Sequence, residues 1–234
     1  MSRELVSTGI PDLDEMLGGG VYRGSAVLIS GTTGAGETSL LAKFAYESCR
    51  RGERCLFFAN EEPADQVVRN MESIGIELGE FLGDKLLIHS ERPTTLGLEA
   101  HLIAMQDLIM DFKPDSVIVD PVTGLAGASG IPETRNENAK HLFIRLTDFL
   151  KSRGITSIFS YLITSPFTAT TTELKLSSLI DTWILLESVQ AKGEYMRFLR
   201  ILKSRGMNHS SSMAELRFTR RGILLKWSSW GKGV

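Results

Sequence analysis

Gly31-Thr32-Thr33-Gly34-Ala35-Gly36-Glu37-Thr38 follows the apolar run Ala26-Val27-Leu28-Ile29-Ser30. It precedes a stretch with helical spacing (Leu40, Leu41, Phe44, Ala45, Ser48) that Gly52 closes as a helix C-cap. The octet meets the phosphate-loop template G-x-x-x-x-G-K-[ST] at every fixed position except the lysine, where Glu37 stands. Strand, glycine-rich turn and helix are the context that gives this template meaning. Glycines let backbone N–H groups converge on nucleotide phosphates, and the helix start turns its positive dipole end toward them. Thr32, Thr33, Gly34, Ala35, Gly36, Glu37, Thr38 and Ser39 are therefore the candidate ATP-contacting residues, and the Thr38 hydroxyl is the candidate Mg²⁺ ligand. The absent lysine is the group that reaches the β- and γ-phosphates, and Glu37 reverses its charge. Lys43, nearly two helical turns beyond, is a poor replacement.

Composition narrows the remaining classes. A chain of 234 residues with 42% hydrophobic content fits one large α/β domain with a substantial core, so residues 1–234 are read as a single domain. No uncharged apolar stretch has the length of a membrane span, and the start Met-Ser-Arg-Glu-Leu lacks the apolar core of a signal peptide. The expectation is a cytoplasmic protein without a membrane partner. A formal net charge of −2 gives no general attraction to nucleic acid. Cys49 and Cys55 lack metal-ligand spacing and read as buried reduced thiols.

Beyond the loop, strands and helices alternate. Strands are expected at 54–60, 86–89, 116–120 and 155–161, with helices from about Pro63, over Leu98 to Phe112 and from about Glu133 to Arg153. Apolar, β-branched strands in such alternation form a parallel sheet covered on both faces. The last third reads as strands without helices (182–187, 197–203, 214–219, 223–227), an antiparallel extension at one sheet edge. The segment from Gly127 to Asn138 is the expected mobile loop.

Acids complete the candidate site. Val117-Ile118-Val119-Asp120 is a strand ending in a carboxylate, the pattern that faces Mg²⁺ or its water ligands. Glu61 and Glu62 follow the second strand at the carboxyl edge where α/β sheets bind ligands, and either is a candidate to polarise an attacking water or hydroxyl. Their bland reading is a solvated pair favoured by the next helix dipole.

Ser7–Gly20 (Ser-Thr-Gly-Ile-Pro-Asp-Leu-Asp-Glu-Met-Leu-Gly-Gly-Gly), the phosphate loop, Ala59-Asn-Glu-Glu62, Val119-Asp-Pro121, Leu176–Trp183 and Lys203-Ser-Arg-Gly206 occur in the order seen in KaiC-like ATPases. Together these motifs cover nearly the whole chain. The sequence resembles this RecA-like branch of the P-loop superfamily, and most of all the second repeat of a two-repeat KaiC clock protein. The resemblance implies hexameric rings with Mg-ATP between neighbours and contacts with clock or signalling proteins. It implies catalytic roles for Glu61 and Glu62, metal association for Thr38 and Asp120, and trans-acting cations in Lys203 and Arg205. Ser177 and Ser178 match the Ser-Thr pair that such repeats autophosphorylate, with serine in place of threonine at the second position. Trp227 to Val234 reads as a frayed end.

Three readings follow. One is a KaiC-like ATPase and autokinase domain impaired by Glu37. The second is a catalytically dead nucleotide-binding ring subunit with a structural or regulatory role. The third, a RecA-like DNA recombinase or helicase, lacks the basic, aromatic-bearing surface that it requires.

Overall fold

Every residue of β3 (Ala26–Gly31) and β4 (Cys55–Ala59) is buried, so neither face of these strands meets water. In β6 (Ser116–Asp120) only the terminal acid escapes full burial. The computed structural model describes residues 4–91, 98–122, 135–163, 178–191 and 194–227. Among them, the nine strands from Ala26 onward form one sheet. β5 (Leu86–Ser90), β4, β6, β7 (Thr156–Leu162), β3 and β8 (Thr182–Ala191) run parallel, with β3 between β7 and β8. The chain then folds back through β9 (Glu194–Ser204), β10 (Ala214–Thr219) and β11 (Gly222–Lys226), all antiparallel.

Alternation along the strands explains the two cores. Ile29, Phe57, Ile118 and Ile158 point to one face and meet Leu41 and Phe44 of α2 (Glu37–Arg50). Leu28, Leu56, Phe58, Val119 and Phe159 point to the other. There they meet Leu102 and Met105 of α4 (Leu98–Phe112) and Phe143 and Leu146 of α5 (Arg135–Ser152). A period of two on doubly covered strands sends residues to both helical layers, so a continuous apolar run is required. α3 (Ala64–Glu72) adds Val67 and Met71 to the α2 side. Cys49 and Cys55 are buried free thiols, as their positions in helix and strand indicate. No helix among the described residues is long and apolar enough to cross a membrane.

Some structure goes beyond the sequence reading. Before β3, the strands β1 (Leu5–Val6) and β2 (Val21–Tyr22) pair and enclose the helix α1 (Pro11–Leu17). Its start is pinned by Asp14, which accepts hydrogen bonds from the Thr8 backbone N–H at 2.8 Å and the Thr8 hydroxyl at 2.7 Å. Gly20 closes the unit at φ 123°, where a Cβ would lie 2.3 Å from the Val6 carbonyl oxygen. The stretch expected as a mobile loop, Gly127 to Asn138, needs correction. α5 begins at Arg135, so its last four positions are helical, in line with the helix also expected from Glu133; residues 127–134 lie outside the described residues. β8 and β9 both extend past their expected ends because each supplies the other's ladder partners as far as Ala191 and Glu194.

An ion-pair network ties the turns at the amino edge. Arg23 meets Glu4 at 2.9 Å and Glu53 at 2.6 Å, while Arg51 meets Glu53 at 2.9 Å. Burial pushes the Glu53 carboxyl up, but hydrogen bonds from Arg51 and Arg23 outweigh it and hold the group below its ordinary range. A depressed carboxyl contributes stability that is present above the unfolded-state value and lost as pH falls through the folded one. Glu53→Gln should therefore lower unfolding free energy by about 1–3 kcal/mol at pH 7. Urea titrations across pH should find the deficit shrinking in acid; a pH-independent difference contradicts this account.

Candidate functional site

β3 ends at Gly31 and α2 begins at Glu37, so the loop between them lies at the carboxyl edge of the parallel strands. Gly34 and Gly36 are left-handed, at φ 78° and 109°. Gly36 is the N-cap of α2 and offers no side chain to cap the first-turn amides. Two residues of the antiparallel extension brace this bend. Arg197 donates from Nε to the Gly34 carbonyl at 2.9 Å, and the Phe218 ring fills the space where a Cβ on Gly36 would lie 2.2 Å from Cζ. The sequence contains no spacing that links either residue to the loop; only the sheet order brings them there.

A cleft of about 330 Å³ opens beyond the loop. Thr33, Gly34, Gly36, Glu37 and Thr38 form one wall, and Asp120, Glu61 and Glu62 contribute acids from the ends of β6 and β4. Thr32, Ala35 and Ser39 are not part of this lining, and Ala35 is fully buried. The ends of β4 and β6 are stitched together by Asn60, whose N–H donates to the Asp120 carbonyl at 2.8 Å and whose side-chain amide donates to the Pro121 carbonyl at 2.9 Å. Glu62 accepts from the Asn70 amide at 3.3 Å, which holds it beside α3.

Asp120 is the electrostatic centre of the cleft. Burial pushes its carboxyl above the ordinary range, hydrogen bonds from Ser160 and Thr38 pull it down, and the charges of Glu61 and Glu62 push it up again. Ser160, on β7, donates its hydroxyl to Asp120 Oδ1. The sequence pattern does not single it out, although a serine near the end of the strand beside β6 is a usable signal once strand order is known.

Glu37 is held within the loop. Its Oε2 accepts from the Gly36 N–H at 3.1 Å. Burial raises its carboxyl, its own N–H and that of Gly36 lower it, and the Asp120 charge raises it further. Thr38 sits next to it with its hydroxyl on Asp120. The glycine cradle, the hydroxyl and the strand-end acid thus fit Mg-nucleotide, whereas the Glu37 carboxylate does not fit phosphate.

The remaining sequence candidates lie elsewhere. Lys203 and Ser204 pair with Trp183 and Thr182 at the start of β8, level with Leu28 and Val27, whereas the loop follows Gly31 at the other end of β3. Lys203 donates to the Ile180 carbonyl at 2.7 Å, and Arg205 approaches Asp181 at 3.9 Å. Ser178 is exposed just before β8 on the same edge, and Ser177 is outside the described residues.

The family model described as "ATPase: KaiC" matches residues 6–229. The chain belongs to the KaiC ATPase family. Its sheet, parallel at the core with an antiparallel C-terminal part, is accordingly RecA-like. It is 42% identical to the circadian clock protein KaiC2 of Synechocystis sp., across 100% of this chain and 41% of that protein. The circadian clock oscillator protein KaiC of Parathermosynechococcus lividus is 39% identical over 97% of the chain and 41% of its own length. KaiC3 of Synechocystis sp. is 35% identical over 93% and 43%. The chain thus spans about two fifths of the length of these relatives, the extent of a single KaiC repeat.

Removing the Ser160 hydroxyl tests the electrostatics of the cleft. In Ser160→Ala the Asp120 carboxyl loses a donor that favours its charged form, so its titration midpoint should move upward. Carboxyl-carbon NMR against pH reads this directly, and an unchanged or lower midpoint contradicts the assignment.

Proposed function

We propose that residues 1–234 form one KaiC-like ATPase domain that binds Mg-ATP between neighbouring protomers of a ring, expected to be a hexamer in the cytoplasm. Phosphoryl transfer would go to water or to Ser177 or Ser178, and Glu37 impairs it. The observation that carries this reading is the single cleft in which the glycine loop, Thr38 and Asp120 meet Glu61 and Glu62.

Placement supports the role given to each residue in this reading. The loop amides and the start of α2 bind phosphate oxygens. Thr38 and Asp120 hold the Mg²⁺, which when bound neutralises charge on the phosphates. Glu61 and Glu62, exposed at the mouth, orient the attacking water or hydroxyl and accept its proton. Lys203 and Arg205 lie at the opposite sheet edge from their own loop, which favours contact with a neighbour's site. Supplied from there, they offset charge developing in the transition state. Ser178 shares that edge, so transfer to it is intermolecular in this reading. Clock or signalling proteins are its partners in this reading, the clock being what the relatives' names give.

A second reading, a ring subunit that holds nucleotide without turnover, is favoured by the position of the Glu37 carboxylate against Gly36. The lysine at this position stabilises the transition state as well as the ground state, so its loss costs catalysis more than binding. DNA recombination receives no support from a net charge of −2.

Glu37→Lys decides between the first two readings. ATP affinity should rise at least about tenfold, since a repulsive carboxylate gives way to an ammonium that follows charge onto the phosphates. Phosphate release or serine phosphorylation should rise by a larger factor. Calorimetry and radiolabel transfer at fixed salt and Mg²⁺ measure both; improved binding with no turnover in either chain identifies the structural subunit. Sedimentation with Mg-ATP tests the ring, and a chain that stays monomeric at high concentration removes the trans roles of Lys203 and Arg205.

A further inference from the structure

The Glu37 side chain spans the bend that it belongs to. Oε2 takes the Gly36 N–H at 3.1 Å, at the end of the loop. Oε1 and Cδ lie against the loop's first residue, so close that a Cβ on Gly31 would be 2.6 and 2.8 Å from them. With one oxygen on the Gly36 amide and the other beside Gly31, the carboxylate lies across a turn whose backbone amides are of the kind that attract an anion. Gly34, at the apex, has no atom beyond its chain neighbours within 4 Å of the corresponding position. A carboxylate acting by through-space repulsion alone would gain by turning to water; this one is only partly exposed and hydrogen-bonded to the backbone.

We propose that Glu37 self-caps the phosphate loop: its carboxylate holds the seat of an anionic phosphate, and a nucleotide must displace it to bind. The proposal rests on the reading of this loop as a nucleotide site. It makes Glu37 an internal competitor as well as a missing cation. The two effects separate at alanine, which removes the competitor without restoring the cation. Displacing a charge-assisted hydrogen bond weakens binding about tenfold to a hundredfold, and Glu37→Ala should recover that factor.

The test uses the full chain labelled with ¹⁵N-glycine, with pyrophosphate and ATP as probes. In the native chain the Gly36 amide resonance should lie downfield and exchange slowly with solvent. In Glu37→Ala it should move upfield and exchange faster, and pyrophosphate should bind about tenfold to a hundredfold more tightly. Glu37→Gln, which keeps the side-chain volume and an uncharged acceptor, should fall between the two and carries the test if alanine disturbs the helix start. A Gly36 amide indifferent to both substitutions overturns self-capping. So does an alanine variant that binds pyrophosphate no more tightly than the native chain. If neither chain binds pyrophosphate or ATP, the nucleotide reading falls and self-capping falls with it; equal binding by both removes self-capping alone.

Discussion

Backbone N–H groups at the end of a fully buried strand need an acceptor, and that requirement organises this molecule. β3 has no exposed residue, so the chain must leave the sheet abruptly at Gly31, and α2 starts after only five intervening residues. Glycines at left-handed angles allow the turn, but they cap nothing. The amides therefore point outward as an anion-seeking group whose direction is fixed by the sheet beneath and by Arg197 and Phe218 beside it. Any charge brought to this edge is felt by the loop. In this chain the nearest one is the loop's own carboxylate.

The acids at the same edge impose an opposite demand. Asp120 and Glu37 are both held above their ordinary range, first by burial and then by negative neighbours. The sign of the consequence is definite. A carboxyl raised on folding binds protons more tightly in the native state, so stability falls as pH rises from the unfolded-state value through the folded one. The cleft thus opposes folding slightly at neutral pH, while Glu53 at the far edge favours it there. Such a concentration of like charge is tolerable because the parallel core supplies the stability, and it creates an attraction for cations that the loop alone lacks.

Much of this was legible in the sequence because the signals are local. Continuous apolar runs fixed β3, β4 and β6, and the glycine octet fixed the turn after β3. Asp120 could be named because a strand end and an acid coincide in four residues. The unread parts depend on distant partners. Ser160 matters only because β7 lies beside β6, and Phe218 only because β10 passes the loop across a reversal of direction. α1 escaped because it spans seven residues, too few for periodicity to register, and its start is set by the Thr8–Asp14 contacts. The rotamer of Glu37 was equally hidden. Its charge was plain in the sequence, but whether it faced water or the loop was a question of geometry.

Position 37 also shows why fold and chemistry separate so cleanly here. It is the first residue of α2, and the core contacts of that helix begin at Leu40 and Leu41. Exchanging lysine for glutamate therefore removes no apolar contact, and an acid in the first turn is favoured by the helix dipole. Local helix energetics accept Glu37 readily, whereas phosphate recognition is opposed by it. The interaction that stabilises glutamate at this point, a carboxylate on amides at a helix start, is the same one that would bind phosphate. A loop built to attract an anion from solution can thus be satisfied from within by one side chain while the surrounding strands, helices and acids keep their places.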